Sequence, residues 1–152
     1  MTLQLTPHFS CAEMCWGSAN DATQGGPIPA YLLPRVYCLC AAVLEPIRIR
    51  HGRVLVTSGY RPADTDSQHG RVEAADLNLP EAGKMVVFLW LMENEPIPVD
   101  MAIVYEDTGH LHVSHTIRRD NRRTFLVASR TDDGEYTYTP WGEYTGPLKA
   151  RP

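Results

Sequence analysis

Two stretches of this sequence hold residues whose types and spacing could bind a metal ion and activate water. In the first, His69 and Asp76 stand seven positions apart, after a strand-like run and a turn. The second holds Glu106, His110 and His112. Together they offer imidazoles and a carboxylate as ligands and a further carboxylate as general base, which is what a catalytic zinc site needs. The same ligand types would also suit non-haem iron.

A predicted β-hairpin places three of these side chains on one face. Strands are predicted over 102–106 and 110–114, joined by a three-residue loop that contains Gly. With this loop length, Glu106 faces His110 across the strand pair. Because residues two apart share one face of a strand, Glu106, His110 and His112 would point to the same side, within reach of one ion.

Length and composition indicate one globular domain with a substantial core. The chain has 152 residues, of which 43% are apolar and 21% charged, ordinary values for a soluble domain. Its net charge of −4 offers no basic surface to nucleic acid, and uninterrupted apolar runs are far shorter than the ~18 residues of a membrane span. We therefore expect a monomer with no nucleic-acid partner and no membrane insertion. The N-terminus lacks the pattern of a signal peptide, so synthesis in the cytoplasm is expected.

Periodicity and turn residues predict an α+β fold. Helical spacing of apolar residues and a capping box predict helices over 11–16, 30–50 and 81–94. β-branched and alternating runs predict the strands of an antiparallel sheet over 54–57, 74–79, 102–106, 110–114 and 124–128. The interpretation is one domain over 1–130, followed by a loosely structured tail over 131–152 that packs on its surface.

The four cysteines, Cys11, Cys15, Cys38 and Cys40, leave more than one interpretation open. Cys11 and Cys15 would share a helix face, but Cys38 and Cys40 in a helix would lie roughly 200° apart. One metal ion could not easily hold all four. We expect buried reduced thiols, with a disulfide framework or a structural zinc site as the alternatives.

Short motifs follow one another in a distinctive order along the chain. They are Pro7-His8-Phe9-Ser10, Leu44-Glu45-Pro46-Ile47-Arg48, Ser58-Gly59-Tyr60-Arg61, Ser67-Gln68-His69, Ala74-Ala75-Asp76, Glu106, His112-Val113-Ser114 and Asn121-Arg122-Arg123. This set resembles the zinc D-alanyl-D-alanine carboxypeptidase family, which shares the fold of the Hedgehog signalling domain. It is most similar to small bacteriophage and prophage members. The resemblance implies a sheet that carries the metal site, with helices packed on it.

The resemblance also implies a role for each matching residue. Three residues would bind one zinc ion per chain: His69, Asp76 and His112. Two would be catalytic: Glu106 as the general base, and Arg61, which would hold a substrate carboxylate or the developing oxyanion. Substrate contacts are implied for Tyr60, Ser67 and Gln68.

Three residues complicate this pattern. Glu73 stands where family members usually have Gly, so it would alter the loop or add charge near the metal. His110 stands where an aromatic residue is common, so it is either a fourth metal contact or part of the pocket wall. Asp107 competes with Glu106 as the base, and the predicted hairpin favours Glu106.

The activity implied by the resemblance is zinc-dependent hydrolysis of a peptide bond in the stem peptide of bacterial peptidoglycan. The bond is either the terminal D-Ala-D-Ala bond or an L-Ala-D-Glu type bond, and 1–130 would be the zinc peptidase domain. Without a signal peptide, the protein would act on the wall after cell lysis or delivery in a virion. The alternative is a non-catalytic metal-binding or partner-binding module of the same fold, since a fold does not fix a function.

Overall fold

A six-stranded sheet carries the site, and helices cover one of its faces. The computed structural model describes residues 3–16 and 25–150. The helices are α1 (Cys11–Met14), α2 (Ala30–His51) and α3 (Lys84–Glu93), with a short 3₁₀ helix at Pro147–Ala150. The strands are β1 (Leu55–Ser58), β2 (Ala74–Asn78), β3 (Met101–Tyr105), β4 (Leu111–Ser114), β5 (Thr124–Arg130) and β6 (Tyr136–Pro140). Their order in the sheet is β1-β2-β4-β3-β5-β6.

The predicted α+β class is confirmed, but the sheet is mixed and not antiparallel as expected. β3 and β5 run parallel, whereas the other neighbouring strands are antiparallel. The parallel pair arises because the connection 115–123 crosses the start of β3 and enters the sheet on its far side. Backbone hydrogen bonds of Asp100 to Ser114 and Thr124 fix this crossing, at 2.8 and 2.9 Å.

The two faces of the central strands differ in the side chains that they carry. Fully buried apolar side chains on one face join the helices in the hydrophobic core: Ala75, Leu77, Ala102, Val104, Val113 and Val127 from the strands, with Val87, Phe88 and Leu91 from α3. Asp76, Ile103 and His112 lie on the opposite face, because successive residues of a strand alternate. The polar residues are thus presented away from the core.

α2 contributes a long apolar stripe to the core. Val36, Leu39, Val43 and Ile47 have no exposed surface and recur at helical spacing. A π-helical turn at Cys40–Leu44 widens the helix just before Pro46, which has no N–H to donate. By length and mean hydropathy (1.4 over an 18-residue window) α2 alone would suit a membrane span, although Arg35 and Glu45 interrupt its apolar runs. Its buried stripe packs as in core helices of globular domains.

The β3–β4 hairpin is one residue out of the predicted register. Ile103 pairs with His112, where the prediction requires Val104. The connection spans 106–110, five residues and not three. Since a shift of one residue exchanges the two faces of a strand, Glu106 turns to the face opposite His112.

The segment after β5 belongs to the sheet, which corrects the prediction of a loosely structured tail. β6 pairs with β5, and Gly134 in the turn between them has φ 86°. Beyond β6, Tyr144 and Leu148 are 5% and 6% exposed and belong to the hydrophobic core. The Tyr144 hydroxyl donates a hydrogen bond to the carboxylate of Glu106. The C-terminal segment is therefore attached to the end of β3.

Glu73 is a buried structural acid. Its side chain is 1% exposed and accepts hydrogen bonds from Thr116 (2.9 Å), Arg71 (3.1 Å) and Arg118. Burial opposes ionisation of Glu73, but the hydrogen bonds from Arg118, Arg71 and Thr116 outweigh it and lower its pKa below the ordinary value. This carboxylate joins the segment before β2 to the connection 115–123.

Replacing the Glu73 carboxylate should destabilise the fold. We expect Glu73→Gln to lower the free energy of unfolding by about 2–3 kcal/mol at pH 7, the scale of hydrogen bonds to charged groups. The stabilisation from a lowered pKa is fully present above the unfolded-state pKa of Glu73 and is lost as the pH falls through its folded-state pKa. The difference in stability between wild type and Glu73→Gln should therefore shrink over that pH range. Urea titrations across pH measure this, with the exposed Glu135→Gln as control. Equal effects of the two substitutions at pH 7 would contradict the assignment.

Deleting 131–152 should cost more than trimming a surface tail. The deletion removes two core side chains, each worth ~1.5–3 kcal/mol, and uncovers the edge of β5. We expect a loss of at least about 3 kcal/mol in urea unfolding, whereas Tyr144→Phe, which removes only the hydroxyl, should cost about 1 kcal/mol. If the protein that lacks residues 131–152 is as stable as wild type, the interpretation of this segment as a surface tail would be supported.

Candidate metal centre

The sheet register brings two of the predicted ligands together. Asp76 of β2 pairs directly with His112 of β4, and directly opposed residues of an antiparallel pair project from the same face. His69 reaches this face from the connection 59–73 between β1 and β2, and only 4% of it is exposed. Residues far apart in the sequence thus share one small region of the sheet.

These three side chains place one ligand atom each around a common point. Asp76 Oδ1 lies 3.0 Å from His112 Nδ1 and 3.5 Å from His69 Nε2, and the two nitrogens are 3.3 Å apart. Ligand atoms bound tetrahedrally to zinc at ~2.0–2.1 Å are about 3.3 Å from one another. The group can therefore hold a metal ion with little rearrangement.

The backbone of Gly59 orients the ring of His69. Nδ1 of His69 lies 2.8 Å from the Gly59 carbonyl oxygen, which can only accept, so Nδ1 carries the proton and Nε2 presents a lone pair. A side chain at position 59 would collide with the carbonyl of Met14 in α1. Close packing of Gly59 on α1 thus holds in place the carbonyl group that directs Nε2 of His69 toward the cluster.

The charge of the cluster favours a cation at its centre. While no metal is bound, burial opposes ionisation of Asp76, but protons shared with the nearby nitrogens of His112 and His69 outweigh burial and hold its pKa well below the usual range. An ionised Asp76 oxygen and the lone pair of His69 Nε2 repel each other at 3.5 Å unless a cation or a proton lies between them. A bound metal ion would satisfy all three acceptor atoms at once.

The loop from His69 to β2 is tightly folded. A Cβ at Gly70 would collide with the backbone carbonyl of Asp64, so glycine is required there. Val72 is fully buried and has φ 57°, which a β-branched residue rarely adopts. Backbone strain of this kind persists where surrounding structure enforces it, often beside functional sites.

A cavity of about 390 Å³ opens beside the three ligands. One wall comes from the loop before His69, with Arg61, Ser67 and Gln68. The other, which we call the aromatic wall, consists of Tyr105, His110, Tyr136 and Tyr138, and Met101 and Ile103 of β3 complete the lining. The cavity is large enough for part of a peptide and leads directly to the ligand cluster.

Three of the four residues predicted to act on substrate beside the ligands line the cavity. The Arg61 side chain is 25% exposed, with Nε 3.3 Å from the Asp64 carboxylate. The Ser67 hydroxyl donates to the Asp64 carbonyl at 2.9 Å and so braces the loop. Tyr60 is not among the residues that line this cavity; it is 7% exposed and belongs to the hydrophobic core. Adjacent residues of an extended segment point to opposite sides, so Tyr60 turns inward where Arg61 turns to the cavity.

Neither carboxylate proposed as general base is among the described residues that line the cavity. Glu106 accepts a hydrogen bond from the Tyr144 hydroxyl on the other face of the sheet. Burial and this hydrogen bond raise the pKa of Tyr144. Asp107 accepts a hydrogen bond from the Tyr136 hydroxyl at 2.9 Å and lies 3.4 Å from Arg130. The shifted hairpin register is the physical reason that the predicted placement of Glu106 is wrong.

His110 is part of the cavity wall. Its Nδ1 lies 2.8 Å from the Thr108 hydroxyl oxygen, and its ring centroid is 4.4 Å from that of Tyr105. Burial lowers the pKa of His110. It is not in the group whose ligand atoms converge, so of the two predicted roles the structure favours the wall.

Sequence reasoning missed the tyrosines of the aromatic wall. Tyr136 and Tyr138 alternate with threonines immediately after the Asp132-Asp133-Gly134 turn. Alternating aromatic and β-branched residues after such a turn are a strand signal. Tyr105 is the last residue of β3, and the register shift gives it the face that the prediction assigned to Glu106.

Comparison with known proteins adds no family assignment. No family model matches the chain, and no curated protein or solved structure matches it. The proposals below therefore depend on the motifs and on the geometry of the site.

Metal retention should depend on the three converging side chains and not on His110. We expect wild type to keep one zinc ion per chain after dialysis, and His69→Ala and Asp76→Ala to keep none, because two ligands bind zinc much more weakly than three. His110→Phe, which preserves an aromatic ring in the wall, serves as the control and should keep the ion. Metal analysis by plasma mass spectrometry measures the content. Zinc retained by both ligand variants, or lost from His110→Phe, would contradict this ligand set.

Proposed function

We propose that this protein is a zinc-dependent peptidase that hydrolyses a bond in the stem peptide of bacterial peptidoglycan. The observation that carries the proposal is the convergence of His69 Nε2, Asp76 Oδ1 and His112 Nδ1 within 3.0–3.5 Å of one another, beside an open cavity. The ordered motifs that resemble the zinc D-alanyl-D-alanine carboxypeptidases supply the substrate class. In this proposal the α+β fold is the Hedgehog/DD-peptidase fold.

Zinc is the metal we favour for the centre. Two imidazoles and one carboxylate, with no thiolate, are typical of catalytic zinc sites, which keep further positions open. The same donors occur in iron oxygenases, but those usually use a double-stranded β-helix, whereas this sheet is a mixed one covered by helices. Bound zinc supplies Lewis acidity at the scissile carbonyl and a nucleophile at neutral pH.

The chain's own residues would position the substrate. Arg61 is a cation in the cavity wall, placed to bind a peptide carboxylate or to stabilise negative charge on the carbonyl oxygen. The aromatic wall would pack against the apolar parts of the peptide and exclude water from that side. The proton-accepting group among the described residues of that wall is the His110 imidazole, since Glu106 and Asp107 form hydrogen bonds elsewhere. Burial raises the pKa of Tyr105 and of Tyr136, so these hydroxyls stay protonated.

We propose that the protein reaches peptidoglycan, which lies outside the cytoplasmic membrane, after cell lysis or by delivery in a virion. We propose that it acts as a monomer on exposed stem peptides.

A non-catalytic metal-binding module is the second candidate function. The observation that favours it is the absence of Glu106 and Asp107 from the described cavity lining, which leaves the site without a carboxylate base. Such a module would bind a partner's carboxylate through the metal and Arg61 without turnover.

Digestion of purified peptidoglycan separates the two candidates. The zinc-loaded wild type should release new stem-peptide fragments, identified by mass spectrometry, and the mass lost would name the bond. Asp76→Asn, which preserves side-chain size but removes the ligand charge, is the matched control and should release none. If the wild type binds one zinc ion per chain but releases no fragments, that result would contradict the peptidase proposal and favour the binding module.

The observed register makes a prediction about Glu106 that differs from the family pattern. Glu106→Gln should keep its zinc and at least half of any wild-type turnover, because its carboxylate lies on the core side of the sheet. It should lower stability by about 1–2 kcal/mol through the weakened Tyr144 bond. Parallel zinc analysis, peptidoglycan digestion and urea unfolding test this. A loss of turnover of 100-fold or more, with stability unchanged, would return Glu106 to the role of general base.

A further inference from the structure

We propose that Gln68 is a positioning residue for the metal ligand His112, and that Asp100 acts through Gln68 by fixing the orientation of its amide. The motifs place Gln68 among the substrate contacts, whereas its hydrogen bonds assign it a different task. The inference rests on the metal centre proposed above.

The direct contact is between the Gln68 amide and the His112 ring. Oε1 of Gln68 lies 3.2 Å from Nε2 of His112. A carbonyl oxygen can only accept, so Nε2 must carry the ring proton. A neutral imidazole has one proton, so Nδ1 is left with its lone pair directed at Asp76 and His69, where the ion would lie. His112 would thus bind through Nδ1, whereas His69 would bind through Nε2.

The orientation of the Gln68 amide is itself enforced. Nε2 of Gln68 donates to Oδ2 of Asp100 at 2.9 Å. An ionised carboxylate has no proton to donate, so the amide NH₂ must face Asp100 and the carbonyl oxygen must face His112. A reversed amide would oppose oxygen to oxygen at Asp100, so the contact with Asp100 excludes it.

Asp100 is held ionised and immobile by two arginines. It has no exposed surface; Arg119 binds both oxygens at 2.7 and 3.0 Å, and Arg122 Nη2 binds Oδ2 at 2.7 Å. Burial opposes ionisation, but the hydrogen bonds from Arg119 and Arg122 outweigh it and lower the pKa of Asp100 well below the usual range. The contacts therefore run from the two arginines to Asp100, from Asp100 to Gln68, and from Gln68 to His112.

Partners of this kind, bonded to the second nitrogen of a ligating histidine, fix its tautomer, and their loss typically weakens metal binding by 10–100-fold. We expect Gln68→Met, which preserves length but removes the carbonyl oxygen, to weaken zinc affinity by about that factor in chelator competition at pH 7. Asp100→Asn, which no longer dictates the amide orientation, should give a smaller loss. Thr65→Ala is the control in the same loop, because Thr65 is exposed and is not among the residues that line the cavity; its affinity should stay within twofold of wild type.

The result that would overturn the proposal is a zinc affinity of Gln68→Met within twofold of that of Thr65→Ala. Loss of affinity in both variants would also overturn it, because the effect would then belong to the loop and not to the amide. An Asp100→Asn protein with wild-type zinc affinity would contradict the role of Asp100 in fixing the Gln68 amide. Failure of the metal centre is distinguishable from all of these, since wild type would then bind no zinc.

A measurement on wild type needs no variant. In the ¹⁵N-histidine spectrum of the zinc-loaded full chain, His112 should be protonated at Nε2 and metal-bound at Nδ1, and His69 the reverse. A His112 protonated at Nδ1 would overturn the proposal whatever the affinities of the variants. Neither readout depends on peptidase activity.

Discussion

The register that sets Asp76 opposite His112 is the constraint on which the rest of the site depends. Antiparallel pairing fixes two ligand atoms 3.0 Å apart on one face of the sheet. The third ligand must then come from outside the sheet, from a loop that can lower His69 onto that face. A slip of one residue between β2 and β4 would turn one of the two side chains toward the core and leave no site.

The loop that supplies His69 is held by several independent contacts. Gly59 packs on α1 and directs the His69 ring, Gly70 allows the chain to pass close to Asp64, and Glu73 fastens the end of the loop through Arg118. Compared with apolar residues of similar volume, buried charge pairs of this type add little net stability, because desolvation offsets their attraction, although removing one partner alone is costly. Their effect here is to fix geometry, which a metal centre requires within a few tenths of an ångström.

The group of His69, Asp76 and His112, which could hold a metal ion, was predicted from the sequence because the residue types and their motif context carry the information. The existence and type of the three main helices and of β1 to β5 followed from periodicity, with ends that differ by up to three residues. The side of the sheet on which Glu106 lies could not be predicted, since it depends on whether the hairpin loop has three or five residues. Residues 106–110 contain no signal strong enough to decide that.

The C-terminal strand was missed for a different reason. Its alternation of Tyr and Thr was visible, but it is exposed on much of its surface and has few apolar residues, so it looked like a tail. Pairing with β5 and the burial of Tyr144 decide its structure, and both are tertiary effects. As a result, half of the aromatic wall was absent from the predicted site.

Zinc X-ray absorption spectroscopy on the stoichiometric complex tests the central claim most directly. The account predicts a first shell of nitrogen and oxygen donors at about 2.0–2.1 Å, with the multiple scattering of two imidazoles and no sulfur. A sulfur shell at about 2.3 Å would place the ion on the cysteines. That result, or a spectrum unchanged by Asp76→Ala, would contradict a metal centre built from His69, Asp76 and His112.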